Sequence, residues 1–107
     1  MSFNASVLYA NDEDTKFDLD YYLSTHMPLV QKTWSSHGLE KWQVVKFDDG
    51  PDGSKPQYLI QALLTFSSAE ALGKAMADEG TKAVFGDIPN FTNKQPVFLA
   101  GNFVGNS

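Results

Sequence analysis

Apolar and polar side chains alternate from Phe3 to Ala10, with Phe3, Ala5, Val7 and Tyr9 on one side and Asn4, Ser6 and Leu8 on the other. That period of two predicts a strand. The run Asn11 to Asp14 ends it, and Thr15-Lys16-Phe17-Asp18 offers a capping-box-like start for a helix that reaches to about Gly38, a residue suited to a helix stop. A second alternating stretch, Leu39 to Phe47, sets Leu39, Val45 and Phe47 against Trp42 and Val44. Turn formers fill Asp48 to Pro56, and Tyr58 to Phe66 reads as an antiparallel return strand. Ser67-Ser68-Ala69-Glu70 then caps a second helix whose buried side carries Leu72, Ala75 and Met76 until Glu79-Gly80 interrupts it. A short helical piece, Thr81 to Phe85, a loop from Gly86 to Phe91 and a last strand, Pro96 to Val104, complete the chain.

This order predicts an α+β fold: a ferredoxin-like βαββαβ antiparallel sheet with both helices on one face, in one domain over residues 1–107. The third and fourth strands carry apolar residues on both sides, Leu59 and Leu63 against Ile60, Ala62, Leu64 and Phe66, and Val97, Leu99 and Phe103 against Phe98, Ala100 and Val104. A bare sheet face of this size, roughly 500 Å², is at the limit that a soluble monomer tolerates. A homodimer packed sheet to sheet, a dimeric α+β barrel, answers it.

Composition narrows the chemistry. The net charge is -5, and all eight basic residues are Lys. Nucleic acid is therefore an unexpected partner, and the bidentate clamp that Arg gives carboxylates and phosphates is missing. The absence of Cys removes disulfides and thiolate chemistry and favours a cytoplasmic location. Neither a signal segment nor a membrane span is legible, so no membrane partner is expected. No G-x-G-x-x-G, P-loop or nucleophile elbow occurs. His37 stands eleven residues after His26, about 16 Å along a helix, too far for one metal ion to take both. Neither a metal nor any other cofactor is expected.

Plotted on a helix, His26 sits in an apolar stripe with Leu19, Tyr22, Leu23, Leu29 and Val30. Tyr22 is four residues before it, and Pro28 removes a backbone hydrogen bond within a turn, which predicts a bend. A lone His on such a stripe is most often a satisfied core residue.

The stretch Tyr21-Tyr22-Leu23-Ser24-Thr25-His26-Met27-Pro28-Leu29 resembles the EthD-like family, whose mark is a helix with an aromatic pair, three residues, then His-x-Pro-Leu. The resemblance continues through Val7-Leu8-Tyr9, Phe17-Asp18, Tyr58-Leu59-Ile60, Glu79-Gly80 and Asp87-x-x-Asn90-Phe91. It implies a dimeric α+β barrel with a pocket between sheet and helices. In that pocket His26 and Tyr22 are assigned to catalysis, and Tyr9, Trp34, Asp87, Asn90 and Phe91 to substrate contact, with Asp87 and Asn90 near the rim. The reductase label that members of the family carry finds no support here, since no flavin or nicotinamide site can be placed.

A His in a dry, aromatic-lined cavity suits proton transfer near neutral pH. The expected function is cofactor-independent dehydration, decarboxylation or isomerisation of a hydrophobic carbonyl or aromatic metabolite. Two alternatives stay open. One is a non-catalytic homodimer that binds an apolar small molecule in the same pocket; the other is a structural dimer in which His26 and Tyr22 satisfy each other in a closed core.

Overall fold

Strands β1 (Phe3–Ala10), β2 (Leu39–Lys46), β3 (Tyr58–Phe66) and β4 (Val97–Asn102) form one antiparallel sheet in the order β2-β3-β1-β4. They are seen in a computed structural model that describes residues 2–107. Tyr9 lies opposite Ile60, Val7 opposite Ala62 and Ala5 opposite Leu64, so the two central strands present one continuous apolar face. Over it run α1 (Leu19–Tyr21), a π-helical turn (Tyr22–His26) and α2 (Met27–Trp34) as one unbroken helix. α3 (Ala69–Ala77), α4 (Thr81–Gly86) and a 3-10 turn (Ile88–Asn90) cover the rest. Phe66, Ile60, Ala62, Tyr9, Tyr22, Met27, Trp34 and Ala75 are almost fully buried between the layers.

Local chemistry accounts for the boundaries. Asp18, rather than Thr15, caps the first helix, its carboxylate accepting from the Tyr21 amide at 3.1 Å. Thr15 instead folds the preceding turn, donating to Ala10 O and accepting from the Asp12 amide. Gly38 ends the helix at φ +91°, and a Cβ there would stand 2.6 Å from Ser67 Oγ and 2.9 Å from Ala71 Cβ, so only glycine fits. Ser68 caps α3 through the Ala71 amide, one residue later than the capping box of Ser67 with Glu70 predicts. Glu79-Gly80 separates α3 from α4. No helix among the described residues is long and apolar enough to cross a membrane.

Several side chains depart from the expected faces. Leu39 is buried opposite Phe66, on the same face as Trp42 and Val44, because the β2 register shifts between Leu39 and Lys41. A bulge there adds one residue and reverses the alternation. Leu23 and Met76 are exposed rather than buried. β4 ends at Asn102 and, as the sheet edge, leaves Val97, Phe98 and Leu99 open to solvent. The uncovered face of β1 and β3 also carries Ser6, Gln61 and Thr65, with Gln61 and Asn4 both donating to Ser6 Oγ. That face is therefore mixed rather than uniformly apolar.

Candidate functional site

The π turn organises the site. A regular helix would give residue 28 an N–H for the Ser24 carbonyl, but Pro28 has none and its ring presses on that carbonyl. The backbone widens instead, and the Met27 amide donates to Tyr22 O, five residues back. So Pro28 produces a wider turn in place of a simple bend. In the wider turn Tyr22 and His26 come almost into line and stack, ring centroids 5.3 Å apart at 15°. Leu23 is rotated outward, which explains its exposure.

His26 is buried, its side chain 6% exposed, and Nδ1 lies 2.9 Å from Asp87 Oδ2. Asp87 enters from the junction between α4 and the following 3-10 turn. Its other oxygen, Oδ1, accepts from Tyr21 Oη at 2.5 Å and from Asn90 Nδ2 at 2.9 Å. Burial acts to raise the Asp87 pKa, but these hydrogen bonds from Asn90, Tyr21 and His26 outweigh it and hold the carboxyl below its ordinary value. An ionised carboxylate only accepts, so His26 carries its proton on Nδ1 and leaves Nε2 as a lone pair. Burial pushes the imidazole pKa below 6.5, and the Asp87 hydrogen bond and charge offset this only in part. Near neutral pH the pair is a neutral imidazole on an anionic carboxylate. The unfolded chain takes up a proton at His26 before the folded one does, so this group withdraws stability as pH falls below 6.5.

A cavity opens beside the ring. It is lined by Tyr9 and Val7 from β1, Leu64 from β3, Tyr22 and His26 from the π turn, and Met27, Val30 and Trp34 from α2. Val84, Phe85 and Ile88 close it on the α4 side, and Phe98 at the β4 edge. The enclosed space is about 20 Å³, room for a single water. Counted out past its mouth, with open solvent included, the depression measures about 330 Å³. Phe85 and Phe98, 37% and 43% exposed and 5.6 Å apart, are the lining rings that reach solvent. Trp34 spends its Nε1–H on Thr81 Oγ1, which in turn donates to Ala75 O, so it offers the cavity only its ring.

Of the residues assigned from sequence, Tyr9, Tyr22, His26 and Trp34 meet at the cavity. Asp87, Asn90 and Phe91 do not line it. Asp87 stands behind His26, Asn90 braces Asp87, and Phe91 packs on the His26 and Tyr22 rings at 4.5 and 4.9 Å. Tyr21 was not singled out by sequence, because a residue five positions before His26 faces elsewhere on a regular helix; the π turn and Asp87 bring it in. His37 bonds the Asp78 carboxylate, clipping the end of the first helix to the end of α3. Among the described residues no group of three or more His, Cys, Asp or Glu could hold a metal ion.

Pro28→Ala tests the role assigned to the π turn. The restored N–H favours a regular helix, so the protein is expected to melt no earlier than wild type. His26 should turn away from Asp87, and the slowly exchanging Nδ1 proton should disappear from the NMR spectrum. A retained Nδ1 signal in the variant would show that Pro28 does not set the ring's position.

An EthD-like protein of Ralstonia eutropha JMP134 superposes with a TM-score of 0.86 at 27% identity, covering 99% of this chain and 95% of that one. An ethyl tert-butyl ether degradation (EthD) family protein of Bacillus halodurans C-125 gives 0.75 at 24% identity over 97% and 100%. A dimeric ferredoxin-like protein of unknown function from Jannaschia sp. CCS1 gives 0.66 at 16% over 96% and 100%. Among curated protein sequences none matches. The EthD domain matches residues 11–95, a span that takes in the π turn, His26 and Asp87, and the chain belongs to the EthD domain family.

Proposed function

We propose that this protein is a cofactor-independent proton-transfer enzyme acting on a small apolar carbonyl or aromatic compound, with His26 as the base and returning acid. The observation that carries the reading is the Tyr21–Asp87–His26 chain behind the cavity. It fixes the tautomer, presents a neutral Nε2 beside an apolar space, and places a carboxylate where an imidazolium would form. Dehydration, decarboxylation and isomerisation all need such a shuttle, and isomerisation needs nothing else.

The structural alternative has less support. It requires His26 and Tyr22 to satisfy each other, whereas their rings stack and the His26 hydrogen bond goes to Asp87. A binding module would use the same cavity without turnover. Deuterium uptake separates the two: in D2O, uncharged and ionised carbonyl compounds are followed by NMR at the carbon beside the carbonyl. Exchange that the protein accelerates over buffer, and that His26→Asn abolishes, supports catalysis. Ligand binding that survives His26→Asn, with no accelerated exchange on any compound, supports the binding module.

A homodimer through the open sheet face belongs to the same proposal. Leu63, Leu99 and Val45 stand on that face and Ser6 and Leu8 are recessed between them. Sheet-to-sheet packing would remove the apolar residues from water, and the relative from Jannaschia is described as dimeric.

A further inference from the structure

We infer that the cavity selects an uncharged, enolisable ketone and that Tyr9 holds its oxygen, a refinement that rests on the proton-transfer reading. Tyr9 and Tyr22 are each 1% exposed and His26 is 4% exposed, yet neither tyrosine hydroxyl nor His26 Nε2 bonds any described residue. Among the described residues the sealed polar side-chain atom without a partner is Asn4 Oδ1, so these three unpaired groups meet open space rather than being closed off in the core. They sit on residues that line one cavity, and a ligand there would pair them. Burial keeps both phenols protonated, raising their pKa values, with the nearby Tyr22 adding to the effect at Tyr9. The site thus offers phenolic donors and one imidazole lone pair. A ketone with an acidic neighbouring C–H matches that set.

Charge sets the other half of the rule. No Lys lines the cavity, the chain has no Arg, and Asp87 lies directly behind His26. A carboxylate or phosphate would enter apolar surroundings with no cation to meet it and a like charge nearby. Tyr9 comes from β1, the wall facing the helix, and stands edge-on to Tyr22 at 82°. A ketone between the two walls would point its oxygen at Tyr9 and its adjacent carbon at His26, displacing Phe85 and Phe98 on entry. The C–H bond breaks, its proton goes to Nε2 and its electron pair forms the C=C bond of an enolate whose oxygen accepts from Tyr9. Return of the proton, or of a deuteron after exchange with solvent, to that carbon re-forms the C–H or C–D bond and restores the ketone. No oxidant or reductant is needed.

The test compares acetophenone with 4-acetylbenzoate, which differ by one carboxylate, in D2O with deuterium read at the methyl group. Native protein should exchange acetophenone faster than buffer and leave 4-acetylbenzoate at the buffer rate. Tyr9→Phe should slow acetophenone exchange by about 10²-fold, the size of a lost oxyanion donor, through kcat more than KM. Its melting temperature should not fall, because the hydroxyl has no protein partner to lose. Equal exchange of both ketones, or unchanged exchange in a folded Tyr9→Phe, overturns the inference while His26-dependent exchange leaves the proton-transfer reading standing. No His26-dependent exchange of either ketone overturns this inference, and its absence across all carbonyl compounds overturns both.

Discussion

His26→Asn is expected to lower turnover by about 10²-fold or more, the low end for a lost general acid or base. The protein should stay folded. Asparagine retains a donor for Asp87 within reach of the former ring, so the carboxylate keeps a partner. The ring's other neighbours, Tyr22 and Phe91, are held by Tyr9 and Phe17 as well, in an aromatic cluster with centroids 4.9 to 6.0 Å apart. Removal of the imidazole therefore costs packing on one side of that cluster only. If His26 were a core residue without catalytic work, the variant would melt early and its folded fraction would keep native turnover. Activity per folded molecule is the quantity to measure, by calorimetry alongside rate.

The second large effect separates the two faces of β3. Leu64 is 2% exposed against the helices and lines the cavity, whereas Leu63 is half-buried on the open face between Ser6 and Gln43. Leu64→Asp would bury a carboxylate with no partner, so a loss above ~4 kcal/mol and an unfolded chain are expected. Leu63→Asp should leave the monomer fold nearly intact and break the proposed dimer, since two copies would bring like charges into one apolar interface. Light scattering and circular dichroism on the two variants read this out. A Leu63→Asp protein that keeps the native mass, or a wild-type protein that is monomeric at micromolar concentration, would remove the sheet face as the interface.

Strands were legible in the sequence because half-buried sheets impose alternation, and β1 and β3 keep it from Phe3 opposite Phe66 to Tyr9 opposite Ile60, the register shifting only between Tyr9 and Ala10. β2 breaks it at one bulge, which no residue type announces, and Leu39 was placed on the wrong face for that reason. The helix starts a few residues later than the sequence suggests because Thr15 and Asp18 are both good caps, and the bridge between Phe17 and Thr92, with the bonds of Lys16 to Thr92 and Asn93, keeps the intervening residues extended. At the site, Pro28 signalled an irregular helix but not its kind. The stacking of Tyr22 on His26 and the entry of Tyr21 follow from the π turn. Asp87 lies 61 residues from His26, and nothing in spacing or periodicity links two such positions. The family resemblance brought Asp87 to notice as a rim residue; the fold places it as the hydrogen-bond partner of His26.

The pH dependence of exchange tests the His26–Asp87 unit most directly. Native protein should lose activity on the acid side with a midpoint below 6.5, because burial lowers the His26 pKa and Asp87 only partly restores it. Asp87→Asn removes that restoring charge, so its midpoint should move to still lower pH while its plateau rate falls, the ring having lost the group that fixes its tautomer and steadies its cation. A midpoint at or above 6.5, or one that Asp87→Asn leaves in place at an unchanged plateau, would contradict an Asp87-oriented His26 as the proton-transfer centre.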